Sequence, residues 1–183
     1  MLQETNKTAI FSGKFMPPHV GHILSILELA RLYGKVAVII LDYPGRETCS
    51  ADEARDIFNK LFDLVFPPIA RQVIQVEVND IHFANITFSE YDSLLRNIGC
   101  CMNHSIYVSG NREVLDNMAK QGIKARYFAR SDDYIYTGTK IRENMAKFGM
   151  PEDSQWPKEV VERFKDDYKP VVFKVEPPDD RPF

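Results

Sequence analysis

Two histidines, His19 and His22, stand three residues apart just after a break in an apolar run, with Lys14 a little before them. Thr8 to Phe11 reads as a buried strand, Ser12-Gly13 interrupts it, and a helix is expected to restart near Pro18. A strand that delivers the chain to a helix N-terminus makes an anion site. The first-turn N–H groups have no partner inside the helix, and the dipole there favours negative charge. On that helix His19 and His22 share a face, while Gly13 and Gly21 let a ligand approach the backbone closely. Imidazoles, bare amides and glycines together suit a polyphosphate. The histidine pair could instead hold a metal, but that needs further ligands and no third one stands nearby in the sequence.

A second helix opening lies far along the chain, in YTGTKIRENMAKFG. Thr137 suits an N-cap, Ile141, Met145 and Phe148 form an apolar stripe, and Gly149 closes the helix. Thr139 and Arg142, three apart, share a face near its start and offer a hydroxyl, N–H groups and a guanidinium to an anion. The two threonines could also be caps alone, and Lys14 a solvated loop lysine. Arg126 and Arg130 stay open between phosphate contacts and surface residues. His82 and His104 are isolated and are expected to be structural or solvent-facing.

The elements that must position these residues alternate strand and helix. After the first strand comes a helix with Ile23, Ile26, Leu27 and Ala30 on one stripe, ended by Gly34. Lys35 to Leu41 is a continuous β-branched run, the pattern of a strand buried on both faces. Ser50 with Glu53 forms a capping-box pattern opening a helix through Ile57, Leu61 and Leu64. Gln72 to Val78 reads as a third, less buried strand, Tyr91 to Ile98 as weakly helical, Ser105 to Ser109 as a fourth strand. Arg112 to Lys120 reads as a helix, Ile123 to Phe128 as a fifth strand, and Trp156 to Tyr168 as a further amphipathic helix. Repeated βα units predict an α/β fold with a doubly wound parallel sheet and right-handed crossovers. Ligands in such sheets bind beyond the carboxyl ends of the strands, where the loop after the first strand lies. Neither G-x-G-x-x-G nor G-x-x-x-x-G-K-[ST] is present, which disfavours a dinucleotide dehydrogenase or a P-loop NTPase.

Composition sets the outer bounds. The 183 residues, 44% hydrophobic and 27% charged, suffice for one globular domain with a real core. Residues 1–175 are expected to form that domain, with a core at 7–148 and a helical extension at 149–175, followed by an acidic, Pro-rich tail at 176–183. A net charge of −3 argues against non-specific nucleic-acid binding. No run of about 18 apolar residues indicates a membrane span, and MLQETNK lacks the apolar region of a signal peptide. Cys49 and the adjacent Cys100-Cys101 give neither a disulfide framework nor a metal spacing, so a cytoplasmic setting and core packing are expected.

Gly13, Phe15, Pro17, His19, Gly21 and His22 reproduce the G-x-F-x-P-x-H-x-G-H signature, and the chain is identified by it as a member of the nucleotidylyltransferase superfamily. Thr137-Gly138-Thr139-Lys140-Ile141-Arg142 resembles the superfamily's second motif, [ST]-[SG]-[ST]-x-[IV]-R. The second motif is closest to that of the nicotinamide mononucleotide adenylyltransferases, and Tyr107 to Asn111 resembles their nucleotide-binding fourth strand. The resemblance implies a Rossmann-like fold and transfer of AMP from ATP to a phosphate-bearing acceptor, releasing pyrophosphate, with nicotinamide mononucleotide as the acceptor. It makes His19, His22, Lys14 and Arg142 catalytic. It assigns Ser12, Gly13, Phe15, Gly21, Ser109, Asn111, Thr137, Gly138 and Thr139 to the nucleotide. Asp42 and Asp80 fall on the acceptor side, with Phe88 or Tyr91 stacking on the acceptor ring. Mg²⁺ is expected to arrive on the ATP phosphates and not on protein side chains.

In such a transfer the acceptor's phosphate attacks the α-phosphorus. A phosphate monoester is already largely dianionic at pH 7, so no general base is required. Catalysis reduces to positioning and electrostatic stabilisation. The expected partners are ATP and the phosphorylated acceptor, with no nucleic acid and no membrane; whether the chain forms a homo-oligomer is left open. Three alternatives remain: adenylyl transfer to phosphopantetheine or FMN, cytidylyl transfer to a glycerol-phosphate type acceptor, and a non-catalytic nucleotide sensor.

Overall fold

The computed structural model describes residues 7–15, 18, 20–42, 50–65 and 73–128. In order these form β1 (Lys7–Gly13), α1 (Val20–Tyr33), β2 (Gly34–Leu41), α2 (Ala51–Val65), β3 (Ile74–Asn79), α3 (Phe88–Asn97), a 3₁₀ turn (Met102–His104), β4 (Ser105–Ser109), α4 (Arg112–Lys120) and β5 (Ala125–Tyr127). The strands make one sheet in the order β3-β2-β1-β4-β5, every pairing parallel. The helices expected from Thr137 and from Trp156, and the tail, lie outside the described residues.

Alternation along the strands divides the interior into two cores. Ala9, Phe11, Val36, Val38 and Ile40 face one side, under α1 and α2; Ile10, Ala37, Ile39, Leu41 and Tyr107 face the other, under α3 and α4. This is the doubly wound architecture expected from the βα repeat, and β2 is the strand buried on both faces. On α1 the buried stripe is Ile23, Ile26 and Leu29, with Leu27 and Ala30 half-buried at its edge. Gly34 takes φ 80°, a left-handed conformation that lets α1 turn directly into β2.

Local signals fixed most boundaries. Ser50 and Glu53 form the expected reciprocal box: the Ser50 N–H donates to Glu53 Oε2 at 2.7 Å and the Glu53 N–H to Ser50 Oγ at 3.1 Å. Helix α3 begins earlier than Tyr91 because Thr87 and Glu90 build the same device; Thr-x-x-Glu was the sequence signal for it. Bonds from the Thr87 backbone N–H, then from its hydroxyl, hold the Glu90 carboxyl below the usual range. A depressed carboxylate stabilises the fold above its ordinary pKa, so this contribution fades as the solution is acidified. Strand β5 is shorter than expected at its start because the Ile123 N–H turns back to Met118 O (2.9 Å) and closes α4. Cys100 packs against the second core as expected, whereas Cys101 is exposed, its Sγ 3.4 Å from His104 Nδ1.

Tyr91 on α3 is 1% exposed, and its hydroxyl has no hydrogen-bond partner among the described residues. Burial pushes this phenol far up from its ordinary value. An orphaned buried hydroxyl destabilises by about 1–3 kcal/mol. Tyr91→Phe is therefore expected to raise the urea midpoint at unchanged slope, and a lower midpoint would contradict this. Among the described residues no helix is long and apolar enough to cross a membrane.

Candidate functional site

The sheet order creates a switch point. From β1 the chain crosses on the α1 side to β2, and from β4 it crosses on the α4 side to β5, so the two connections diverge and leave a crevice between them. Phe11 pairs with Val108, which sets Ser12-Gly13 alongside Ser109-Gly110 at the crevice floor. The turn expected to carry chemistry therefore lies where an open α/β sheet binds its ligands.

Ser12 is tied down there. Its Oγ lies 2.7 Å from the Tyr107 hydroxyl, and the Tyr107 ring stacks on Phe83 at 5.1 Å and meets Tyr91 edge-on at 6.3 Å. Beyond the likeness of Tyr107 to Asn111 to a nucleotide-binding strand, nothing in the sequence signals that Tyr107 joins β4 to the end of β1. Across the crevice, Ser109 and Asn111 also serve the turn itself. The Asn111 N–H donates to Ser109 Oγ at 3.1 Å, and Asn111 Oδ1 accepts from the Glu113 N–H at 3.0 Å as the N-cap of α4. The first turn of α4 holds an acidic residue, Glu113, whereas that of α1 holds none. The α1 opening is thus the better of the two for an anion.

The β1–α1 turn is built on Phe15. Its φ is 50°, left-handed and rare for a bulky side chain. The ring folds back over Gly13, where an added Cβ would sit 3.0 Å from the ring tip. Phe15 is 4% exposed, so its side chain belongs to the core. It packs against Phe11 (5.4 Å), Phe58 (5.5 Å) and, edge to face, the His22 imidazole (4.8 Å, 90°). His22 is half-buried, Gly21 buried and Lys14 exposed. Ser25, which the sequence did not single out, donates to Gly21 O at 2.9 Å one turn into α1. His19 and Pro17, with Thr137, Gly138, Thr139, Arg142 and Arg130, lie outside the described residues.

On the other side of β1, Asp42 and Asp80 are exposed just past the ends of β2 and β3, at the carboxyl edge of the sheet. The Asp42 N–H donates to Asn79 O (2.9 Å), and Asn79 Oδ1 accepts from the Ile81 N–H (2.9 Å), which braces both loops. The stacking role expected of Tyr91 does not fit. Tyr91 is inside the second core. The Phe88 N–H donates to Gln121 Oε1 at 3.3 Å, just past the end of α4, and its ring is exposed. The loop before it is held along α4 by Asn117, which donates to Ile86 O at 3.1 Å. Arg126 is exposed and donates to the Tyr33 hydroxyl at 3.2 Å; His82 and His104 are exposed. No group of His, Cys, Asp and Glu side chains able to hold a metal occurs among the described residues.

Known proteins resemble this chain in sequence and in fold. No family profile matches it. A phosphopantetheine adenylyltransferase from Picosynechococcus sp. is 25% identical over 182 residues, covering 93% of this chain and 92% of the relative. Another, from Natranaerobius thermophilus, is 26% identical over 135 residues, 73% of each. Among solved structures, a bifunctional NMN adenylyltransferase/ADP ribose pyrophosphatase from Francisella tularensis, complexed with AMP and a manganese ion, superposes with a TM-score of 0.57. The match has 13% identity and covers 93% of this chain and 58% of that one. NadR in complex with NAD and AMP-PNP gives a TM-score of 0.53 at 18% identity, over 78% of this chain and 43% of that one. The chain therefore spans about half the length of these two structures. Its fold is the Rossmann-like α/β fold of the nucleotidylyltransferases.

Proposed function

We propose that this chain, related by fold and sequence to the nucleotidylyltransferase superfamily, moves AMP from ATP to a phosphate-bearing acceptor and releases pyrophosphate. The observation that carries this reading is the β1–α1 turn: it stands at the switch point and feeds a helix opening free of acidic residues, with His22 in the first turn.

In the reaction an acceptor phosphate oxygen forms a bond to the α-phosphorus while the bond from that phosphorus to the bridging oxygen of pyrophosphate breaks. Two anions must meet and the leaving group gains charge. The α1 N–H groups and the His22 imidazole donate toward the triphosphate, and exposed Lys14 sits beside it; His19, Thr139 and Arg142 are assigned to the same phosphates. Gly13 makes room for the Phe15 ring that closes the turn beneath the phosphates. Ser12, Ser109 and Asn111, bound to one another's elements, shape the crevice floor rather than leaving it to loop flexibility. Mg²⁺ bound through the ATP phosphates would neutralise part of their charge. Asp42 and Asp80 face the acceptor.

The acceptor is nicotinamide mononucleotide on the likeness of the second motif, which makes this a step of NAD biosynthesis in the cytoplasm. A second reading, phosphopantetheine, is favoured by the relatives in the sequence comparison. Pyrophosphate release is the deciding measurement, with ATP and CTP each offered nicotinamide mononucleotide, phosphopantetheine, FMN, ribose phosphates and glycerol phosphate. Release with ATP and the first acceptor supports the main reading, and release with the second alone transfers the assignment to phosphopantetheine. ATP binding without release for any acceptor overturns the enzyme reading in favour of a sensor.

A further inference from the structure

We propose that Phe58 of α2 is a positioning residue for His22, setting the plane of the imidazole; the proposal rests on the nucleotidyl-transfer reading of the site. Phe58 lies outside every motif and in a different βα unit from the histidine. Even so, it is 0% exposed, with its ring centroid 6.4 Å from that of His22 at an interplanar angle of 58°. Phe15 is 4.8 Å from His22 at 90° and 5.5 Å from Phe58 at 81°. The three rings form a closed triangle of edge-to-face and tilted contacts, the arrangements that aromatic quadrupoles favour.

The triangle matters because of what torsion alone leaves undecided. The χ1 of a helical histidine is restricted to staggered wells, but χ2 is broad and roughly two-fold, so the ring plane is free unless neighbours fix it. Which nitrogen points into the crevice, and how far, then depends on the packing around the ring. Phe15 supplies one wall from the turn itself. Phe58 supplies the second from α2, and Phe62, stacked on Phe58 at 5.6 Å and 9°, backs it. An imidazole that stabilises charge only in the transition state needs this fixed aim, since a small displacement of a positioned group lowers turnover steeply.

The test pairs Phe58→Leu with Leu94→Ala, a substitution in the other core that lowers stability without touching these rings. Histidine is labelled with ¹³C, and the His22 imidazole signal is identified among the protein's four histidines by its loss in His22→Gln. Phe58→Leu is expected to move the His22 ring resonances, and to lower kcat roughly 10-fold with the KM for ATP little changed. Leu94→Ala is expected to do neither. If Phe58→Leu does not fold, Phe58→Met, which keeps the volume, takes its place. Unmoved His22 resonances, or a kcat loss matched by Leu94→Ala, overturn the proposal. The resonance measurement needs no activity, so a chain that releases no pyrophosphate with any acceptor fails the proposed function while the placement of His22 by Phe58 is still judged.

Discussion

His22→Ala is expected to lower the rate of pyrophosphate release by about 10²-fold, the scale of removing one donor aimed at developing charge. The side chain lies in the first turn of α1, at the helix end whose N–H groups and dipole favour an anion, and no acidic residue in that turn competes. Its loss should appear mainly in kcat, because an interaction made only in the transition state leaves ground-state binding of ATP nearly as before. The imidazole also fills space beside Phe15 and Phe58. Circular dichroism and a melting curve must therefore show the variant folded before its rate is read. A folded His22→Ala protein releasing pyrophosphate at a near-normal rate would remove His22 from the mechanism, and with it the reading of the β1–α1 turn as catalytic.

Phe15→Ala is expected to destabilise the fold by about 3–5 kcal/mol, the usual range for emptying an aromatic site in a core. Such a loss is a large share of the roughly 5–15 kcal/mol that holds a typical domain together. The ring touches Phe11, Phe58 and His22 and covers Gly13, so neighbours from β1, α1 and α2 cannot all close the gap. Backbone conformation adds a second, more discriminating expectation. At φ 50° any side chain with a Cβ is disfavoured by about 1–2 kcal/mol relative to glycine. Phe15→Gly should therefore be more stable than Phe15→Ala, the reverse of the order found at ordinary helix or strand positions. Urea midpoints for the pair decide it, and an alanine variant equal to or more stable than the glycine one would show that the left-handed turn is not held in solution.

The features legible in the sequence are those encoded within a few residues. Strand β4 and helix α4 fall on the segments expected from Ser105 to Ser109 and Arg112 to Lys120, because a short apolar run and an Asn cap followed by an amphipathic stripe are local statements. The Ser50–Glu53 box, the buried β2 and the turn after β1 are of the same kind. The doubly wound parallel sheet followed from their alternation. The burial of Tyr91 was not legible for a related reason. Its distance in sequence from β3 gives no direction, and the direction is set by the second core.

By itself, then, the sequence determined the kind and order of the elements and which turn offers imidazole, glycine and bare amides to an anion. Only the tertiary structure decided that Tyr107 reaches Ser12 from 95 residues away, that Phe15 turns left-handed and lays its ring over Gly13, and that Phe58 sets a wall beside His22. The physical reason is that these contacts depend on strand order and register. Pairing β1 with β4, and laying α1 and α2 on the same face, brings together side chains whose own neighbours in the chain carry no trace of the meeting.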